Sequence, residues 1–357
     1  MLNQERLNRV FENSDVDQML ICDPYAIFYL TGRWIFAGER FLGLFISKNQ
    51  KPVLFVNELF RFEEELGVEK RYIKDTDVIS DLLKNNVNQN SALGVDKNLP
   101  ARFLLPIIDA SLASNYVNGS LAIDATRAIK DEAEIALMRE SSHINDLAMA
   151  EFKKLPKTGI TELEVADQMM SIYKKFGAEG YSFSPIVAFG VNAADPHHMP
   201  DETILHEGEV VLFDVGCKYQ NYCSDMTRTF FFKGEPNETQ KKVYNLVRKA
   251  NEDAENYVKP GVRLCDIDSK ARDVITEGGY GPDFTHRLGH FIGIEDHEYG
   301  DVSQAFTNLT KPGNIFSIEP GIYNKQDMGC RIEDLILVTE DGHEVLNKYP
   351  HDFEIIE

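Results

Sequence analysis

Long apolar runs are missing from this 357-residue chain, and basic residues are in deficit: 37 Lys and Arg stand against 58 Asp and Glu, a net charge of −21. The first absence argues against a membrane-spanning helix, which needs about 20 consecutive apolar residues. No secretory signal pattern is expected either. The second argues against nucleic acid as a partner, because an acidic surface repels phosphates. Cysteine is sparse, and Cys22, Cys217, Cys223, Cys265 and Cys330 form an odd, dispersed set. That suits reduced thiols in a cytoplasm better than a disulfide framework. Cys217 and Cys223 match no zinc-ligand spacing, so they read as strand-borne free thiols. Repeats and low-complexity tracts are lacking too, and the length suits two domains.

Up to about residue 120, short apolar segments at 19–22, 41–45, 52–56 and 92–95 alternate with helical stretches. This is an α/β pattern. Residues 115–124 read as the crossing into a second domain, which places the domains at 1–122 and 123–357. Beyond the crossing, Asp131-x-x-Glu134 and Thr161-x-x-Glu164 have the form of capping boxes, the second helix ending near Gly177. Helices near 237–257 and 264–277 interrupt a series of strand-like runs, an α+β layout.

Those runs carry acids. In Val210-Val-Leu-Phe-Asp214-Val-Gly and Ser-Asp225-Met-Thr-Arg-Thr-Phe230, two apolar strands each hold one aspartate. Folded about Tyr219-Gln220, the hairpin sets Asp214 directly opposite Asp225. The pattern recurs in the runs containing Glu319 and Glu333, which meet when the chain folds about Gln326. Like charges facing across strands are destabilising, and acids on apolar strands are costly unless neutralised. Divalent cations would neutralise them. With His290 between the hairpins, the set is oxygen-rich with one nitrogen donor, which suits manganese or cobalt, and less specifically zinc or iron. His286-x-x-x-His290 has the spacing of a helical zinc-protease pair. Gly289 and Gly293 around an apolar run favour an extended segment instead, and Arg287 stands where a glutamate would be needed. His143, His206, His343 and His351 lie outside these clusters and read as structural or surface residues.

Together these residues resemble the pita-bread metallopeptidases, the family of prolidase, Xaa-Pro aminopeptidase, methionine aminopeptidase and creatinase. The resemblance rests on Asp214-Val-Gly, Ser-Asp225-Met-Thr-Arg-Thr-Phe, Gly289-His290-x-x-Gly-x-x-x-His297-Glu298, Ser-Ile-Glu319-Pro-Gly and Arg331-Ile-Glu333-Asp. Arg127-x-x-Lys130-Asp-Glu-x-Glu-Ile looks like the opening of that family's catalytic domain. Within the family, Pro-His197-x-x-Pro, His286, Arg331 and a full N-terminal domain favour the Xaa-Pro branch, with prolidase nearest.

The resemblance implies a pita-bread catalytic domain preceded by a creatinase-type N-terminal domain, and a homodimer. It implies two divalent cations, manganese by preference with cobalt or zinc possible, held by Asp214, Asp225, His290, Glu319 and Glu333. Asp225 and Glu333 would bridge them, and Glu319 would also move the proton of the attacking water. His197 and His297 would act as catalytic donors to substrate and oxyanion, while His286 and Arg331 would contact substrate. The expected activity is hydrolysis of Xaa-Pro dipeptides. The alternatives are an Xaa-Pro aminopeptidase acting on longer peptides and an inactive protein-binding module of the same fold. The stretch Arg33-Trp-Ile-Phe-Ala-Gly-Glu-Arg40 resembles a loop of bacterial prolidases that approaches the site, often from a neighbouring subunit. A hydrophobic interdomain or dimer contact is the competing reading of Trp34.

Overall fold

A computed structural model describes residues 1–357, which form two compact units, Met1–Arg127 and Ala128–Glu357. The first contains strands β1 (Gln18–Ile21), β2 (Leu42–Ser47), β3 (Gln50–Asn57), β4 (Glu69–Ile73), β5 (Ala92–Val95) and β6 (Asn115–Asn118). They make one mixed sheet in the order β4-β3-β2-β1-β5-β6. Around it lie α1 (Gln4–Glu12), α2 (Pro24–Thr31), α3 (Ile79–Leu83), α4 (Ala101–Asp109) and α5 (Ser120–Arg127). Strands β1, β2, β3 and β5 are the four apolar segments legible in the sequence. Strand β4, Glu-Lys-Arg-Tyr-Ile, is an edge strand whose charged side chains hide it from an apolar pattern.

Helix α5 lies in the first compact unit. It straddles residue 122, yet Arg9 Nη2 donates to Thr126 O and Asn13 Nδ2 to Thr126 Oγ1, both at 3.0 Å, so it belongs to the first unit through Arg127. Trp34 stacks on Phe28 with ring centroids 4.3 Å apart and on Phe36 at 5.4 Å, an aromatic cluster inside the first unit.

The second unit opens with α6 (Glu132–Phe152) and α7 (Glu162–Lys175), and each starts with the capping box expected of Asp131/Glu134 and Thr161/Glu164. Strands β7 (Gly180–Tyr181), β8 (Ile186–Phe189), β9 (Val210–Val215), β10 (Cys217–Tyr219), β11 (Tyr222–Cys223) and β12 (Met226–Phe232) follow. Helices α8 (Glu238–Tyr257) and α9 (Leu264–Glu277) lie within a residue of their expected limits. The chain then forms β13 (Gly289–Phe291), β14 (Glu298–Val302), β15 (Ile315–Ile318), β16 (Gly321–Asn324), β17 (Met328–Arg331), β18 (Asp334–Val338), β19 (His343–Val345) and β20 (Ile355–Ile356). Two sheets carry the acids: β20-β12-β9-β8 and β14-β13-β15-β18-β19.

Strand alternation decides which way each acid points, because successive side chains leave opposite faces. On β9, Val211, Phe213 and Val215 join the core built with α6 and α7, whereas Val210 and Leu212 join the core built with α8 and α9. Asp214 therefore shares the face of Val210 and Leu212. Its partner across the ladder is Thr227, not Asp225. The turn centres on Gln220-Asn221, both at positive φ (44° and 74°), one residue later than the symmetric reading placed it. That displacement slides the pairing by two residues, which keeps Asp225 on the face of Asp214 but diagonal to it. The second hairpin pairs as expected about Gln326: Ile318 with Asp334 below and Gly321 with Arg331 above bracket Glu319 and Glu333.

Arg228, 1% exposed, ties the two acid-bearing segments together. It donates to Thr227 O (2.9 Å), Glu333 O (2.7 Å), Tyr349 O (2.7 Å) and Asp334 Oδ1 (2.7 Å). His351, read from sequence as an ordinary residue, also meets Asp334 at 2.7 Å. Beside this network lies Glu255, whose carboxyl is pushed from 4.5 up to about 9 by burial and then by Asp334. Because the folded pKa is raised, the native state keeps a proton that the unfolded chain releases. The stabilising contribution is complete below pH 4.5 and is lost as pH rises toward about 9. Glu255→Gln is accordingly expected to exceed the parent in stability at pH 8, with a margin that widens by at most about 1.4 kcal/mol per pH unit. Urea denaturation at pH 5 and pH 8 checks this; equal margins at both would contradict it.

Candidate metal centre

A cavity of about 580 Å³ in the second unit is lined by Asp214, Asp225, His290, Glu319 and Glu333 together with His197, His286, His297 and Arg331. Phe183, Ile186, Pro196 and Met199 contribute apolar wall. All nine residues singled out in the sequence thus converge. The two sheets meet where Thr227 bridges Glu333: Glu333 N donates to Thr227 O, and Thr227 Oγ1 donates to Glu333 Oε2 at 2.6 Å.

His290 comes from β13, which runs extended as Gly289 and Gly293 suggested. A Cβ on Gly289 would sit 1.9 Å from Ser317 O, so only glycine lets this strand lie so close to β15. His290 Nδ1 faces Phe291 O at 3.3 Å and donates to it. That fixes the tautomer and leaves the Nε2 lone pair toward the acids, 3.6 Å from Asp225 Oδ2 and 3.5 Å from Glu319 Oε1. Burial, with His297 next, holds the imidazole well below its usual pKa, so it is a neutral donor. Ligand atoms of Asp225, His290 and Glu333 all lie within 4.8 Å of one another.

The carboxylates behave as a set lacking its counter-charge. Burial and then Glu333 push Asp225 well up, burial and then Glu319 do the same to Glu333, and burial puts Glu319 at about 8. Asp214 Oδ1 and Asp225 Oδ1 are buried with no hydrogen-bond partner. Orphaned carboxylate oxygens around a neutral imidazole fit divalent cations, which would remove both the repulsion and the unmet acceptors. Cys217 and Cys223 take no part: burial pushes their thiols up to about 11 and about 12, and Cys223 Sγ bonds Ile294 O.

Two expected substrate contacts are already engaged. His286 Nδ1 lies 2.6 Å from Arg287 O and Nε2 2.7 Å from Tyr323 OH, so neither ring nitrogen is spare. Burial and then Arg331 lower its pKa to about 4, making Nδ1 the donor and Nε2 the acceptor. Arg331 spends its guanidinium on Asp214 Oδ2 (2.6 Å), Tyr323 OH (2.9 Å) and Thr227 Oγ1 (3.1 Å). In this structure both residues hold neighbours in place while lining the cavity. His297 stacks edge-on against His290 with centroids 4.0 Å apart.

Sequence reasoning missed Thr227, Tyr323, Asp296 and Glu162. Thr227 follows from the corrected turn, since it is the residue opposite Asp214. Glu162 looked like an ordinary acid in the first turn of a helix. Instead it is wholly buried and accepts from Phe189 N (2.7 Å), Asn192 Nδ2 (3.1 Å), His198 Nε2 (2.6 Å) and Asp201 N (3.1 Å). It thereby holds the loop that carries His197 on both sides of that residue.

The models of metallopeptidase family M24 and of the creatinase/prolidase N-terminal domain match residues 136–340 and 4–129. A Staphylococcus epidermidis protein described as an uncharacterized peptidase is 38% identical over 350 residues, covering 98% of this chain and 99% of its own. Among solved structures, a prolidase from Pyrococcus horikoshii is 32% identical over 97% of this chain and 99% of its own, with a TM-score of 0.87. An X-Pro aminopeptidase from Thermotoga maritima is 30% identical over 98% and 100%, with a TM-score of 0.83. The fold is that of the pita-bread group.

Glu162→Gln would turn one acceptor into a donor facing donors. It is expected to cost about 1–3 kcal/mol and to speed amide exchange at Phe189 and Asp201. Unchanged exchange at both amides would show that the loop does not depend on this carboxylate.

Proposed function

Given that the chain belongs to metallopeptidase family M24, we propose that it hydrolyses the peptide bond before proline, with Xaa-Pro dipeptides as substrates and two divalent cations, manganese by preference, as cofactors. The observation that carries this reading is the convergence of four acids and one neutral imidazole, two of the acids with orphaned oxygens, beside an apolar wall.

Asp214, Asp225, His290, Glu319 and Glu333 would hold the cations. Bound there, the cations supply Lewis acidity, which acidifies water and polarises the scissile carbonyl. Glu319, a carboxylate on the same cavity, would also carry a proton from the attacking water to the leaving nitrogen. His197 and His297 stand on the same cavity and would donate to the substrate carbonyl and its developing oxyanion. Arg331 holds Asp214 through its 2.6 Å contact to Oδ2, and Tyr323 and His286 brace Arg331 from behind.

The preference for proline has a physical basis. An Xaa-Pro bond has no N–H and carries a rigid ring, so a site that recognises it needs apolar wall rather than an acceptor for that hydrogen. Phe183, Ile186, Pro196 and Met199 supply such wall, and the likeness to a prolidase agrees.

The test is turnover of an Xaa-Pro dipeptide and an Xaa-Pro-Xaa tripeptide by manganese-loaded protein. Dipeptide cleavage is expected. Cleavage of the tripeptide alone would make the protein an aminopeptidase, and no turnover of either would leave the fold as a binding module. Asp225→Asn should reduce turnover by at least about 100-fold, since losing a ligand removes cation as well as geometry. Near-normal rates in that variant would break the ligand assignment.

A further inference from the structure

Five acids line the cavity, and the ligand set uses four. The fifth is Asp296. It lies on the segment 292–297 that leaves β13 after Phe291 and returns over His290 to begin β14 at Glu298. The backbone of Asp296 lies beside the His290 ring, and its carboxyl lies within hydrogen-bonding reach of Asp225. The side chain is therefore placed by the same residues that shape the cation site.

Its Oδ1 is buried and without a partner, a condition that, among the five acids of the cavity, only Asp214 and Asp225 share. Glu333 has Thr227 Oγ1 at 2.6 Å, and Glu319 has Ser317 Oγ at 3.2 Å. His297 Nδ1 lies 3.6 Å from Asp296 Oδ2, on a ring whose pKa burial and then Arg287 lower. Asp296 thus sets a carboxylate beside those of Asp214 and Asp225, with Lys218 and Arg287 acting on it and neither in an ion pair with it. A side chain meant to read a substrate would turn its oxygens to the open cavity. This one keeps Oδ1 out of solvent.

We infer that Asp296 is a further cation-binding carboxylate of this chain, so that the centre has five carboxylates and one imidazole. The inference rests on the proposed function in one respect, that the cavity holds divalent cations. Its consequence is a harder, more anionic donor set, which raises affinity and favours manganese over softer-binding zinc.

The test is calorimetric titration of the metal-free full-length protein with manganese(II) chloride, compared for the parent, Asp296→Asn and Asp296→Val, with thermal melts before and after loading. The parent should take two Mn²⁺. Both variants should bind at least one of them about 10–100-fold more weakly. Without metal they should melt at or above the parent, because a like charge has been removed, and manganese should raise their Tm by less than it raises the parent's. Unchanged affinity and an unchanged Tm rise would overturn the inference, as would a lower metal-free Tm with unchanged affinity, which would make Asp296 a packing residue. A parent that binds no manganese would overturn the proposed function along with it. A parent that binds manganese and cleaves peptide while both variants bind equally well would overturn this inference alone.

Discussion

Mutual repulsion among buried carboxylates is the constraint around which the second unit is organised. Asp214, Asp225, Glu319 and Glu333 come from two sheets and four strand ends, and the fold drives them into one cavity at the cost of desolvation and like-charge repulsion. Nothing in core packing asks for this arrangement. The metal-free protein tolerates it because Asp225, Glu319 and Glu333 are pushed toward the protonated form and because Arg331 answers Asp214. Divalent cations would take over both tasks.

The frame that imposes this strain is built from backbone. Arg228 binds carbonyls of Thr227 and Glu333, so the two acid-bearing segments are joined through atoms that no side-chain substitution at the ligands would remove. Ser317 Oγ accepts from His290 N and donates to Glu319 Oε1, linking the imidazole to a carboxylate across β13 and β15. Ligand positions are thus set before any cation arrives, which favours affinity by lowering the ordering cost of binding.

Much of this was legible in the sequence, because period-2 alternation with an acid at the strand end is a pattern few other features produce. The Glu319/Glu333 hairpin could be registered correctly because Asn324-Lys-Gln-Asp-Met is a polar turn with an unambiguous centre. The Asp214/Asp225 hairpin could not, since Cys-Lys-Tyr-Gln-Asn-Tyr-Cys offers adjacent centres and only the positive φ of Gln220 and Asn221 selects between them. The error was harmless to the face on which the acids lie and harmful to the identity of their neighbour, which is why Thr227 was overlooked. Glu162 was illegible for another reason. An acid after a capping threonine has a sufficient local explanation, and its four loop contacts depend on residues 27–39 positions away. Strand β4 was missed because edge strands carry charge by design.

The donors expected to act on substrate are held differently from the ligands. Ligands sit on or at the ends of strands, whereas His197 lies in the loop between β8 and β9 and His297 in the return between β13 and β14. Glu162 fixes the first loop from its far side through His198, the neighbour of His197, so the imidazole nearest the cavity keeps its nitrogens uncommitted while the adjacent one is spent on anchoring. His286, whose two nitrogens are both engaged, contrasts with it: His290 has a fixed tautomer, His286 braces Tyr323 and Arg331, and His197 stands on a tethered loop. A cation centre needs rigidity and a substrate needs room. The proposed roles meet both needs, with acids at strand ends and His197 and His297 on the connecting loops.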